Sequence, residues 1–330
     1  MRINLWITKR CNLSCSYCYE GIEKEECSMN QKIINDTITF LLKKDSPLSI
    51  RFHGGEPLLE FKLIRYFIEE IERQNYNKVP IDYHMTTNGL MATEEILKYL
   101  QKYMQDISLS IDGNRKVNDE NRHFKNGVGS YDILYDKYRL FLKYFPYTRA
   151  RMTYTTHTVE YLFESVDHIA GLGFQVIAAV PDQFDKTWSF EQSEVLCREI
   201  KKISEKYKDK KVRINLIDKS LFKPYGDCSG GDKNISIDAD GKIYPCSLSV
   251  GNPQFSIGDI WKDIDKECVA KFQSYSRMVN PSCDGCTMLR FCTGNRCKII
   301  NKIIHDDFYS PPTAVCLHQN VNVQMYSYMK

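Results

Sequence analysis

The sequence contains no hydrophobic run of membrane-spanning length, and no apolar stretch approaches the roughly 20 residues a bilayer helix needs. It also lacks an export signal, because Met1 leads straight into a strand-like segment with no apolar core of signal length. An excess of charge of either sign is missing as well. Lys and Arg number 45 against 42 Asp and Glu, a net +3, which gives no case for a nucleic-acid surface. The Lys-rich run Arg198–Lys211 reads as one solvated helix face. There is no internal repeat and no low-complexity segment. What remains is a globular chain of 330 residues, 42% hydrophobic and 12% aromatic, long enough for one large domain and a small one. Cysteine is abundant. Thirteen cysteines in a chain with no export signal point to metal binding instead of disulfides, and to a reducing cytoplasm.

The N-terminal two-thirds alternates β-type runs with amphipathic segments. Strands are expected at Ile3–Thr8, Leu48–Phe52, Ile81–Thr86, Ile107–Ile111, Arg151–Thr155 and Phe174–Val180. Helices are expected near 30–44, 58–74, 93–104, 130–145, 161–171 and 188–208, with Thr93 and Ser130 as N-caps and a further strand at 212–217. Strand–helix units in series predict an α/β fold, a parallel sheet curled into a partial (β/α)6 barrel of TIM type. The chemistry of such a barrel sits on loops after the strands. From Cys228 onward the chain is rich in Cys, Gly and Asp. The expected division is 1–215 for the barrel and 216–330 for a small Cys-rich domain.

Directly after the first strand come Cys11, Cys15 and Cys18. Thiolates held in one tight loop can grip a soft metal or an iron–sulfur cluster, and three ligands leave one iron of a four-iron cube open for a small molecule. A zinc knuckle with a chance cysteine is the plainer reading. Spaced CxxxCxxC with the aromatic Tyr17 before the last cysteine, the loop resembles the signature of radical S-adenosylmethionine (radical SAM) enzymes.

Other stretches fall where that family needs them. His53-Gly54-Gly55-Glu56-Pro57 closes the second strand; its glycines let backbone approach a ligand and its carboxylate can accept from an amine. In the resemblance this motif binds the methionine amino group. Thr86-Thr87-Asn88-Gly89 and Ser110-Ile111-Asp112-Gly113 end the next two strands and would line the nucleoside site, with Asn88, Ser110 and Asp112 as contacts. Asn118–Arg122 is similar to the family's HDxNR stretch, so Arg122 would bind the carboxylate as a rigid bidentate donor. Asn118 stands where the family has His and is given no role. Tyr17 would lie against the adenine. His157 reads as a polar liner, and no residue is assigned as catalytic.

A second cysteine group comprises Cys228, Cys246 in the string Asp240-Gly241-Lys242-Ile243-Tyr244-Pro245-Cys246, then Cys283, Cys286, Cys292, Cys297 and Cys316. It resembles the SPASM extension, which holds two auxiliary [4Fe–4S] clusters. The resemblance implies that Cys283, Cys286, Cys292 and Cys316 bind the distal cluster and Cys228, Cys246 and Cys297 the proximal one. Four residues separate Cys292 from Cys297 where the family has three. The proximal set has three thiolates and is expected to keep an open iron for a substrate thiolate. The competing account closes it with Cys27, Cys197, Cys268 or Asp232. Cys197 and Cys268 otherwise read as small buried hydrophobes.

The resemblance implies three [4Fe–4S] clusters, S-adenosyl-L-methionine, and an external one-electron reductant of flavodoxin or ferredoxin type. It also implies hydrogen abstraction from a peptide or protein substrate. Within the family the chain looks most like maturases that install thioether or other cross-links in ribosomally made peptides. Sulfatase maturation ranks second, because those enzymes carry an acidic residue after the cysteine matching Cys246 and here it is Ser247. A non-enzymatic iron–sulfur electron carrier is the rival from another class, and it leaves the Gly-Gly-Glu, Ser-Ile-Asp-Gly and Arg122 features without purpose. The first strand begins too near Met1 for an N-terminal peptide clasp. Leader recognition is therefore expected at the barrel mouth, the SPASM surface or a separate leader-binding protein.

Overall fold

The computed structural model describes residues 1–329. In chain order the elements are β1 (Arg2–Thr8), α1 (Gln31–Leu42), β2 (Leu48–Gly54), α2 (Phe61–Gln74), β3 (Ile81–Thr87), α3 (Glu94–Gln101), β4 (Met104–Ser110) and α4 (Arg115–Asn121). They continue with α5 (Tyr131–Tyr144), β5 (Arg149–Tyr154), α6 (Leu162–Gly171), β6 (Val176–Pro181), α7 (Phe190–Tyr207) and β7 (Arg213–Ile214). The remainder is β8 (Asn234–Ile237), β9 (Lys242–Tyr244), β10 (Gly258–Asp259), β11 (Asp263–Ile264), α8 (Lys266–Ser276), the single turn α9 (Thr293–Arg296), α10 (Lys298–His305) and α11 (Thr313–Tyr328). The strand order is open at both ends, so this mixed α/β fold is the partial barrel expected from the alternation. Among the described residues no helix is long and apolar enough to cross a membrane.

The chain packs as two compact units. The first comprises residues 1–14, 20–108 and 229–273. Its strands run β11-β10-β9-β8-β1-β2-β3-β4, with β1 parallel to both β2 and β8. A strand paired on both sides and covered on both faces should be apolar almost throughout, and Ile3, Leu5, Trp6 and Ile7 are all buried. Ile64, Phe67, Ile68 and Ile71 of α2 recur at helical spacing and supply part of the covering layer. Asn30 caps α1 by accepting from Ile33 N at 2.9 Å, and Thr93 caps α3 by accepting from Ile96 N at 3.3 Å. The helix expected to 104 ends at Gln101, because Met104 opens β4. A buried strand residue there happened to continue the helical period.

The second unit comprises, among the described residues, 15–19, 109–228 and 274–329. It carries the parallel pairs β5–β6 and β6–β7, with α6, α7 and α11 packed in series. The strand expected over 212–217 shrinks to β7 and a 3-10 turn at Asn215–Ile217. The Asn215 side chain takes over the ladder: it accepts from Ala179 N at 2.8 Å and donates to Ala179 O at 2.7 Å, replacing a strand's own backbone. Ser130 makes no N-cap hydrogen bond; its hydroxyl donates to Arg122 O at 2.7 Å instead. Asn215→Ala should cost roughly 1–2 kcal/mol in urea unfolding, with faster hydrogen exchange at the Ala179 amide; unchanged exchange there would remove the side chain from the ladder.

Candidate active site and cluster cavity

In the first unit the chain leaves β1 at Thr8 and enters the cysteine loop across the Gly-Gly-Glu turn. Gly54 has φ +121°, and a Cβ on it would lie 2.2 Å from Thr8 O; one on Gly55 would lie 2.1 Å from Arg10 O. The space these glycines leave is filled by the chain itself. Gly55 N donates to Thr8 O at 3.1 Å and Glu56 N to Arg10 O at 2.8 Å, so the turn forms a pedestal beneath Cys11. Glu56 is buried, and its carboxylate accepts from Leu58 N at 3.0 Å, Thr87 Oγ1 at 2.6 Å and Asn88 N at 2.7 Å. It thereby ties the ends of β2 and β3 together. Asn88 donates to Asn12 Oδ1 at 2.8 Å and reaches Cys11 Sγ at 4.0 Å, and Leu13 N approaches the same sulfur at 3.4 Å. N–H donors around a sulfur favour the thiolate over the thiol.

In the second unit Cys15–Tyr19 docks on α4, with Ser16 N donating to Asn121 O at 2.9 Å. Asn114 starts α4, a helix that the sequence alone does not predict, by accepting from Val117 N at 3.1 Å. Three residues assigned separately meet here. The Tyr17 hydroxyl donates to Asp112 Oδ2 at 2.7 Å and accepts from Arg122 Nη1 at 2.6 Å, while Thr153 N donates to Asp112 Oδ1 at 2.9 Å. Asp112 and Arg122 are both buried. Burial pushes the Asp112 carboxyl upward against the pull of Arg122, and burial likewise pushes the Tyr17 hydroxyl well up. Arg122 stays charged: burial works against it, but Cys15, Tyr17 and Asp112 hold its proton. Asn118, passed over because it departs from the family's His, is fully buried; it accepts from Asp112 N at 3.3 Å and donates to Ser130 Oγ at 3.3 Å. Its role in orienting Asp112 had no signal in one sequence. Ser110 ends β4 half-buried, and His157 is exposed.

Short turns bring the later cysteines together within the second unit. Cys283, Cys286, Cys292 and Cys316 line one cavity of about 80 Å³ with Tyr309 and Lys298. Backbone bonds from Cys286 N to Cys283 O at 3.1 Å and from Cys292 N to Leu289 O at 3.3 Å shape the run. Burial and then its neighbours Cys292 and Cys286 raise the Cys283 thiol, and Cys316 is raised by burial and by the other three. The four residues between Cys292 and Cys297 form the turn α9, closed by Cys297 N donating to Thr293 O at 2.6 Å. A Cβ on Gly294 within it would lie 2.4 Å from Pro311 Cβ. Lys298 follows directly; it is 5% exposed and its Nζ has no hydrogen-bond partner.

These residues fit an iron–sulfur cluster. Four soft donors ring a volume several times what a water molecule needs, and a buried ammonium without a partner calls for an anion. Among the described residues no three His, Cys, Asp or Glu side chains converge closely enough to hold a single metal ion, the arrangement that zinc with bonds of about 2.3 Å requires. Cys246 belongs to the first unit, where Ser249 Oγ lies 3.7 Å from its sulfur; Cys228 belongs to the second. Cys197 and Cys268 are half-buried and not the buried hydrophobes expected, with their sulfurs at Gln324 Oε1 (3.1 Å) and Asp265 Oδ2 (3.4 Å). Each sulfur finds a polar neighbour at a helix surface. The Cys27 carbonyl accepts from Lys9 N at 2.8 Å.

Comparison with known proteins agrees with this layout. The radical SAM superfamily model matches residues 6–182, and the SPASM model, an iron–sulfur cluster-binding domain, matches 228–287. The radical SAM cyclopropyl synthase TigE of Paramaledivibacter caminithermalis is 24% identical over 88% of this chain and 66% of its own. A cysteine-type anaerobic sulfatase-maturating enzyme of Clostridium perfringens is 23% identical over 87% of this chain and 86% of its own. Among solved structures, native anSMEcpe with bound AdoMet and Kp18Cys peptide superposes with a TM-score of 0.82 at 19% identity, covering 99% of this chain and 97% of that one. Streptococcus suis SuiB bound to precursor peptide SuiA gives 0.69 at 20% identity, over 95% and 75%. The chain spans 55–66% of the length of three curated relatives it matches.

Two outcomes test the geometry. Gly55→Ala should destabilise the chain by at least about 2 kcal/mol, since backbone must move to admit the methyl; a thermal melt within a degree of wild type would mean the pedestal yields freely. Arg122→Leu should cost about 3–5 kcal/mol in urea unfolding of the apo-protein by stranding Asp112. Adding Asp112→Asn should recover about 1 kcal/mol or more, and simple additivity would show that the two side chains do not support each other.

Proposed function

The chain belongs to the radical SAM superfamily, and on that footing we propose that it is an enzyme that modifies a peptide or protein substrate, most specifically by installing a thioether or other cross-link in a ribosomally made peptide. The observation that carries the proposal is the CxxxCxxC loop leaving β1 on a Gly-Gly-Glu pedestal, with N–H donors already aimed at Cys11 sulfur. Cys11, Cys15 and Cys18 would hold a cluster that, with S-adenosylmethionine and one electron from a reductant, would supply a 5′-deoxyadenosyl radical able to take a hydrogen atom from an unactivated carbon.

The chain's own residues prepare for that chemistry. Gly54, Gly55 and Glu56 hold the start of the loop rigid, and Asn88 adds a donor to its first sulfur. Tyr17, Asp112 and Arg122 form a hydrogen-bonded polar floor in the second unit, where Arg122 Nε has no partner and is an ordered donor for a carboxylate without reorganisation. Ser110 ends the strand that leads into it. Residues 1–215 serve as the radical-generating barrel and 216–330 as the SPASM domain, with Cys283, Cys286, Cys292 and Cys316 on a distal auxiliary cluster and Cys228, Cys246 and Cys297 on a proximal one. The electron comes from an external flavodoxin or ferredoxin type of reductant, and a separate leader-binding protein can supply peptide recognition.

Support for a peptide substrate comes from the peptides bound by the structural neighbours, the Kp18Cys peptide and precursor peptide SuiA. Sulfatase maturation is the second reading, favoured by a Clostridium perfringens relative aligned over 86% of its length. Ser247, where those enzymes carry an acid, ranks it below cross-linking, because a serine hydroxyl is a poor base near neutral pH.

Anaerobically reconstituted protein should carry about twelve irons and, with dithionite and S-adenosylmethionine, release 5′-deoxyadenosine. Replacing Cys11, Cys15 and Cys18 with Ala should abolish that release and remove about four irons, leaving about eight. Deoxyadenosine from the triple variant, or stoichiometric zinc in place of the auxiliary iron, would overturn the assignment.

A further inference from the structure

Lys298 is used by nothing described so far. It opens α10, the end of a helix that favours anions over cations, and it is 5% exposed with an Nζ that has no hydrogen-bond partner. No Asp or Glu lines the cavity that it borders. Its side chain lines the same cavity as Cys283, Cys286, Cys292 and Cys316. An ammonium buried without a carboxylate is costly, and a lysine of ordinary use would reach solvent along its flexible stem. The cost is offset only if an anion occupies the cavity beside it.

Resting on the reading of these four cysteines as cluster ligands, we infer that Lys298 is the buried counter-charge and N–H donor of the distal auxiliary cluster and sets its reduction potential. A cube with four thiolates is a net anion and gains one further negative charge on reduction. A cation fixed against its sulfurs stabilises the reduced state more than the oxidised one and raises the potential, as net charge and hydrogen bonds to sulfur do in such centres. The distal cluster is thereby suited to accept an electron, the direction required when hydrogen removal leaves a substrate radical to be oxidised. Lys298 acts through the cluster and touches no substrate, so it is a positioning residue.

The test is an EPR-monitored redox titration of reconstituted full-length protein, with iron measured alongside. The distal signal is identified as the one lost in a variant with Cys283, Cys286, Cys292 and Cys316 replaced by Ala. If that variant keeps full iron and every signal, the cluster reading itself fails, independently of Lys298. With the signal assigned, Lys298→Met should lower its midpoint so that the reduced fraction at a fixed potential falls about tenfold or more, leaving the other signals in place, while Lys298→Arg stays near wild type. A Met variant with full iron and an unmoved midpoint overturns the inference, as does an Arg variant shifted as far as the Met one. Should Lys298→Met lose about four irons, retention of that iron by Lys298→Arg supports the counter-charge and equal loss from both overturns it.

Discussion

Much of the first unit depends on backbone meeting backbone where β2 ends under the exit of β1. Gly54 and Gly55 have no Cβ, so Thr8 O and Arg10 O can occupy positions about 2 Å from where a methyl would stand. Two amides of the same turn then donate to those carbonyls. The result is a fixed platform from which Cys11 departs, and Glu56 extends it sideways to Thr87 and Asn88. One short motif therefore does two things at once. It joins three strand ends, and it orders the first residues of a cysteine loop whose ligands must hold still to bind a cofactor.

The second unit solves a different problem, that of carrying charge inside. Asp112 and Arg122 are buried and are bridged by the half-buried Tyr17 hydroxyl, Thr153 N donates to Asp112 and Asn118 accepts from its amide, while Arg122 Nε has no hydrogen-bond partner. Such a network is stabilising only when every member is present, since loss of one strands the rest. The same property makes it a suitable floor for a polar ligand, because its dipoles are oriented before anything binds. Lys298 in the same unit differs in that its charged atom, Nζ, has no hydrogen-bond partner at all.

The cavity around Cys283, Cys286, Cys292 and Cys316 shows how small irregularities in spacing are absorbed. An additional residue between Cys292 and Cys297 becomes part of one helical turn, and Gly294 lets that turn press against Pro311. The placement of the thiols is set by the turns, so a one-residue change in spacing is tolerated where a turn can take it up. The long interval to Cys316 is closed by α11, which returns that thiol to the cavity.

The sequence by itself determined the alternation of strands and helices, the N-cap at Thr93 that local side-chain chemistry dictates, and the cysteine groups, because these are written in spacing and residue type over a few positions; the cap expected at Ser130 gave way to its bond with Arg122 O. It could not show that Asn215 would replace a strand, that Met104 belonged to β4, or that Cys197 and Cys268 would sit half-exposed, since each turns on a partner distant in the chain. It named Tyr17, Asp112 and Arg122 one at a time; only the fold showed them bonded to each other, with Asn118 behind them. The glycines of the pedestal were legible as a need for close approach, but what approaches them was decided by the return of β2 alongside β1. Lys298 reads in sequence as one more lysine after a cysteine. Its burial beside four thiols came from the packing of the 280–320 region, which brings together residues distant in the chain.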